Sequence, residues 1–253
     1  MILGLSYETI AFSLAGGVFP TFLWLWFWLR EDSAHPEPKR FVIATFLAGM
    51  ASVIIVLPIQ RLIYDYFGNM SSYSLSNVVP ILKISIVSST ILIIIWAAFE
   101  EIFKYLAAHV AGMWRGAMDE PIDAVMYLIT AALGFAAMEN TLFLVEPIIA
   151  GNFTDSIITG NLRFVGSTLL HVLSSAVVGV FMAFAFYKSR VEKFIYAIFG
   201  LILATALHTL FNLSIIDASE GDALITFSFL WILILGLLLF LEKVKSLKQK
   251  TNA

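Results

Sequence analysis

The sequence contains no cysteine, which excludes disulfides, thiolate metal sites and a cysteine nucleophile. It is also poor in charge: Asp, Glu, Lys and Arg make up 13% of its 253 residues, against 60% hydrophobic residues. There is no stretch with the polarity of a soluble domain, no internal repeat and no low-complexity tract. The net charge of −3 gives no reason to expect nucleic acid as a partner. The first twenty residues lack a basic segment and a small-residue cleavage site, so they are expected to be a retained first span rather than a removed signal. A His-Glu-x-x-His zinc helix is missing too.

What the chain has is apolar length. Several segments exceed the roughly 20 residues needed to cross a bilayer, and the mean hydropathy is strongly positive. The expected fold is an all-α polytopic transmembrane bundle of about seven spans, at 10–29, 41–60, 84–112, 122–146, 163–187, 193–214 and 222–242. These form one membrane domain over 1–253, with a basic cytoplasmic tail at 243–253. Between the first two spans, residues 30–40 carry six acidic or basic side chains and two prolines, which no buried helix would tolerate. Residues 61–83, with Tyr64, Tyr66 and Tyr73, are expected to lie partly along the membrane surface. Of the 15 Lys and Arg, all but Arg61, Lys83 and Arg163 fall on one side of such a bundle. The positive-inside rule then places the N-terminus outside and the C-terminus in the cytoplasm.

Against this background a few polar residues stand out. Glu100, Glu101 and Lys104 follow the run Ile91–Phe99, where each charge costs at least about 2.5–3.5 kcal/mol. Lys104 can reach either carboxylate on a helical face. Glu139 has no cation on its own helix. His171 lies in a stripe with Ser167, Thr168, Ser174 and Ser175, and His208 has Asn212 one turn later. Counted from the nearest cytoplasmic-side charge, Glu100, Glu139, His171 and His208 sit 15, 16, 17 and 15 residues up their helices, or about 22–26 Å at 1.5 Å per residue. Four ionisable residues on four spans thus share one level, in the half of the bilayer away from the cytoplasm. That predicts a single site, with functional atoms within roughly 8 Å of a common centre. It should open toward the extracytoplasmic half and be capped by 61–83 or 147–162, with 69–77 bordering it. Asp123, Glu8 and His109 lie near helix ends, where a solvated charge is expected, and His35 is given no role.

Two Glu and two His in a lipid-shielded cavity suit peptide-bond hydrolysis. A carboxylate can move a proton from water to a leaving amine, and imidazoles can hold an oxyanion or a divalent metal. Zn2+ held by two His and a carboxylate and a metal-free site both fit these residues. So do two non-hydrolytic readings: a proton-coupled transporter or channel with a Glu/Lys/His relay, and a scaffold that uses the cluster for helix association.

The ordered set Glu100-Glu-x-x-Lys104, Asp123 followed by Gly134-Phe-Ala-Ala-Met-Glu-Asn140, Arg163 leading into His171, and His208-Thr-Leu-Phe-Asn212 resembles the PrsW family of intramembrane proteases. That family lies within the wider group of CAAX-processing and bacteriocin-immunity membrane proteases. Pro36-Glu-Pro38 is similar to the family as well, and the resemblance covers about residues 30–215. It implies a glutamate- or metal-dependent endopeptidase in a prokaryotic plasma membrane. Its activity would be site-one cleavage, on the outer side, of a single-span membrane protein such as an anti-sigma factor. In the expected mechanism Glu100 or Glu101 activates water and Lys104 keeps the pair from both protonating. Glu139 shares proton transfer or metal ligation, His171 and His208 ligate metal or hold the oxyanion, and Asn212 orients His208.

Overall fold

A serine opens the first helix of the structure. In this computed structural model, which describes residues 6–33, 35–73, 84–115, 118–216 and 220–247, Ser6 Oγ accepts from the Thr9 N–H at 3.1 Å and caps α1 (Tyr7–Leu29). Helix α2 (Lys39–Tyr73) starts directly after Pro36-Glu-Pro38, and α3 (Ile84–Ala111) ends near a short 3-10 turn at Met113–Arg115. Pro121 occupies the first turn of α4 (Pro121–Ile149), where its missing N–H has no partner to lose. Gly151, at φ 71°, ends the turn after α4, and Asn152 caps α5 (Phe153–Leu162). A π-helical turn, Arg163–Ser167, carries α5 into α6 (Thr168–Phe184). Helices α7 (Arg190–Ile216) and α8 (Glu220–Lys245) complete the bundle.

Among the described residues six helices are long and apolar enough to cross a membrane, the α5–α6 run counting as one. The seventh long helix is α3, which carries the Glu-Glu-x-x-Lys cluster. Two connections differ from expectation. Residues 61–73 continue α2 as helix, which runs on through Pro58 and Gly68. Residues 153–162, expected as a connector, form α5. Of the expected bordering segment 69–77, residues 69–73 end α2 and residues 74–77 lie outside the described residues.

Helix α4 is the axis of the fold. Every residue from Pro121 to Ala137 is buried, because α1, α2, α3 and α6 all pack around it. A helix enclosed on all sides needs no polar face. Helices α2 and α4 cross with their backbones touching: a Cβ on Gly49 would strike the Ala131 carbonyl, and one on Gly134 would strike that of Phe46. Large apolar side chains such as Phe19, Trp26, Ile202 and Leu239 face outward, as a hydrocarbon surround allows.

At the end of the bundle where α1 stops and α2 and α4 begin, Asp32, Glu37 and Asp123 come together and are all buried. Asp123 is therefore not the solvated helix-end charge the sequence suggests. Its Oδ2 accepts the backbone N–H groups of Asp119 and Glu120 at 2.8 and 2.7 Å, and Glu37 accepts from the Tyr127 hydroxyl. Burial, reinforced by the Asp123 charge, pushes the Asp32 carboxyl up to about 7 and the Glu37 carboxyl up to about 8. Glu8 is exposed, and His109 stacks on Tyr105 and Trp114.

Candidate active site

Helix α3 presents Glu101 and Lys104 three residues apart, and Lys104 Nζ donates to Glu101 Oε1 at 2.6 Å. Both are fully buried, at 1% and 0% exposure. The same oxygen accepts from Ser174 Oγ at 2.8 Å and lies 2.7 Å from His208 Nδ1. Ser175 Oγ approaches Oε2 at 3.5 Å. Glu101 is thus locked from three helices. With three partners on one oxygen it is an anchor, and its acceptor capacity is spent on holding Lys104, His208 and α6 in place.

Glu100 differs sharply. Its Oε1 accepts from Gln60 Nε2 on α2 at 2.9 Å, while its buried Oε2 has no hydrogen-bond partner. The group facing that oxygen is His208 Nε2, at 3.6 Å. Because Nδ1 donates to Glu101, Nε2 of a neutral His208 carries the lone pair. Two lone pairs facing each other across this gap call for a shared proton or a cation.

A second arm leads through His171. Lys104 can only donate, so His171 Nδ1, at 3.1 Å, accepts. Nε2–H then donates to Glu139 Oε2 at 2.9 Å. The cation that Glu139 lacks on its own helix is Arg163, whose Nη2 donates to the same oxygen at 2.5 Å. Arg163 Nε binds Asn140 Oδ1 at 2.6 Å, and Asn140 Nδ2 binds Thr168 Oγ1 at 3.0 Å. Its guanidinium lies 3.8 Å from the Phe143 ring centroid. Arg163 opens the π turn, and such turns recur at functional sites. The two imidazoles meet edge to face with centroids 5.1 Å apart.

The structure therefore brings Glu100, Glu101, Lys104, Glu139, His171 and His208 into one contact network. It leaves Asn212 aside: the His208 nitrogens face Glu101 and Glu100, and Asn212 makes no hydrogen bond to the ring. Lys104 and Arg163 are not surface charges; Lys104 neutralises the fully buried Glu101 and Arg163 the partly buried Glu139. Glu100, His171 and His208 place one donor atom each within 4.8 Å of the others, while Glu139 touches the group through His171 Nε2 at 2.9 Å. Two imidazoles and a carboxylate suit Zn2+. Glu100 and His208 offer free lone pairs for it, whereas His171 would have to release Glu139 or Lys104. Sequence reasoning missed Gln60, whose one signal is a polar amide beyond Pro58 on an apolar helix. It also missed Arg163 as a site residue, because an arginine near a span end reads as interfacial.

A profile described as "PrsW family intramembrane metalloprotease" matches residues 37–239. The chain belongs to the PrsW family. It is a multi-pass membrane peptidase, and the family match runs through most of α8, beyond the 30–215 core expected from the motifs. Protease PrsW of Halalkalibacterium halodurans is 24% identical over 204 residues, covering 79% of this chain and 81% of that protein. Protease PrsW of Geobacillus kaustophilus is 27% identical over 177 residues, 70% of this chain and 66% of the relative. The Bacillus subtilis Protease PrsW is 25% identical over 181 residues, 70% and 68% of the two chains. No solved structure matches this PrsW-family chain.

Proposed function

We propose that this protein is an endopeptidase of the bacterial plasma membrane that hydrolyses a peptide bond in a single-span membrane protein, with Glu100 as the group that activates water. The carrying observation is the contrast between the two adjacent glutamates: Glu101 is saturated, while Glu100 keeps a buried oxygen without a partner beside His208 Nε2. In this reading Glu100 Oε2 takes a proton from water, the water oxygen attacks the scissile carbonyl carbon, and the same proton passes to the leaving nitrogen. Glu101 fixes the tautomer of His208. Lys104 compensates Glu101 and orients His171, whose Nε2–H is held by Glu139 and Arg163. Were a divalent metal held instead by Glu100, His208 and His171, it would polarise the carbonyl and make the water more acidic, and Glu100 would then act as a ligand rather than as the base. The shared depth of the site residues and the Lys/Arg asymmetry support cleavage in the extracytoplasmic half. A site-one cut in an anti-sigma-factor-like regulator fits that position.

The test is cleavage of a single-span reporter in proteoliposomes. Glu100→Gln should lower turnover by roughly 10²- to 10⁴-fold with the helical content unchanged, and undiminished turnover would overturn the assignment. Chelation followed by Zn2+ add-back separates metal-dependent from metal-free hydrolysis. The unbroken polar chain from Glu100 to Arg163 also favours a second reading, a proton relay. Proton flux into vesicles that is lost in Glu139→Gln, with no reporter cleavage by the wild type, would support it instead.

A further inference from the structure

We propose that the ends of α1, α2 and α4 form a binding site for one hard divalent cation, Mg2+ or Ca2+, with Asp32, Glu37 and Asp123 as its protein ligands. The three side chains are only 6%, 8% and 1% exposed, and one oxygen from each lies within 4.8 Å of the others. Asp32 Oδ2 is buried and accepts no hydrogen bond. That leaves a carboxylate oxygen inside the cluster with nothing to replace its lost water.

The usual remedy, a direct ion pair between any of the three and a basic side chain, is missing among the described residues, and His35 and Lys245 act on Asp32 only from a distance. His35 pairs with Glu120 instead, and Lys245 pairs with Glu31 and Glu242. Three carboxylates so close, buried and unpaired repel one another. The protein meanwhile holds two of them from behind: Asp123 by two backbone N–H groups, and Glu37 by the Tyr127 hydroxyl. Glu37 and Asp123 also bond to each other, so the open oxygen is Asp32 Oδ2, and partners that hold the other two carboxylates are how ligands are oriented toward a metal.

The donor set decides the class of ion. All three ligands are carboxylate oxygens, with no imidazole or thiolate, which suits Ca2+ or Mg2+ and disfavours Zn2+. The site is distinct from the Glu100–His208 cluster. Asp123 and Glu139 are sixteen residues apart on α4, about 24 Å at helical rise. Bound there, the cation would tie the turn between α1 and α2 to the start of the central helix. Its effect is therefore expected on stability and not on the peptide-bond chemistry, and it does not depend on the hydrolytic mechanism.

The experiment uses the purified full-length protein in detergent, stripped with chelator at pH 7.5. Mg2+ and Ca2+, added separately at millimolar concentration, should raise the melting temperature by several degrees. The arm with the larger shift identifies the preferred ion. His208→Ala should keep the response, whereas Asp32→Asn and Glu37→Gln should lose it. Tb3+, a luminescent Ca2+ surrogate, tests the wild type without any variant: Tyr127, bonded to Glu37, should sensitise emission that Ca2+ or Mg2+ displaces. No thermal shift and no displaceable Tb3+ signal in the wild type would overturn the site. An undiminished shift in both Asp32→Asn and Glu37→Gln would overturn it equally.

Discussion

Two buried clusters of acid sit at different levels of this bundle and solve the same electrostatic problem in different ways. Around α3, the carboxylates of Glu101 and Glu139 each face a dedicated cation, Lys104 at 2.6 Å and Arg163 at 2.5 Å. At the start of α4, Asp32, Glu37 and Asp123 form no ion pair with a basic side chain among the described residues, and two of them have hydrogen-bond donors. A buried charge costs several kcal/mol unless it is paired. The first cluster can thus remain ionised on its own, while the second needs protons or an external cation. Within the paired cluster one oxygen, Glu100 Oε2, is left over, and that exception is where chemistry is expected.

The sharpest way to break this comparison is to remove a dedicated cation. Lys104→Met should leave Glu101 buried and uncompensated, and should lower stability by about 3–5 kcal/mol, read from denaturant or thermal unfolding. Adding Glu101→Gln should restore much of that loss, whereas an additive double variant would mean that Lys104 acts by packing. Next in size is the free oxygen's support. Gln60→Leu removes the donor to Glu100 Oε1 and should cost about 1.5–3 kcal/mol of its placement, or roughly 10- to 100-fold in turnover, with little change in melting temperature.

The unpaired cluster should respond with the opposite sign. Asp32→Asn relieves repulsion, so in the presence of chelator the variant should melt higher than the wild type, by an amount on the order of 1 kcal/mol. The pH profile of the chelated protein tests the same cluster without a substitution. The Asp32 and Glu37 carboxyls are raised to about 7 and about 8, so the folded state holds protons that the unfolded chain releases above about pH 4. The stability these protons contribute is complete below that pH and is lost as pH rises through 7 to 8. The melting temperature should therefore fall between pH 5 and about 8 and flatten in Asp32→Asn. A profile that rises over this range would contradict the placement of these carboxyls.

Several features were legible in the sequence for local reasons. Hydropathy over a window marks a membrane helix whatever its neighbours are, and the helical rise converts sequence separation into depth. Glu100, Glu139, His171 and His208 could therefore be assigned to one level before any packing was known. Residues 30–40 were excluded from any buried helix for a similarly local reason, six charges and two prolines in eleven positions. Family membership followed from the same ordered residues.

What the sequence could not decide was rotation about each helix axis and the identity of partners across helices. Glu100 and Glu101 are adjacent and chemically equivalent as text. Only the packing of α3 against α6 and α7 turns Glu101 into Ser174, Ser175 and His208, and leaves Glu100 facing Gln60 with one open oxygen. Arg163 read as an interfacial charge until the π turn aimed it at Glu139. Asn212 sits at the right spacing from His208, yet the ring is held through Nδ1 by Glu101 of a neighbouring helix, with Nε2 turned toward Glu100. Asp123 looked like a solvated helix end because nothing local reveals that Asp32 and Glu37, about ninety residues earlier in the chain, close over it. Composition and spacing determine which groups enter the membrane and how deep. Interhelical register, set by contacts such as Gly49 on Ala131 and Gly134 on Phe46, determines which of them meet.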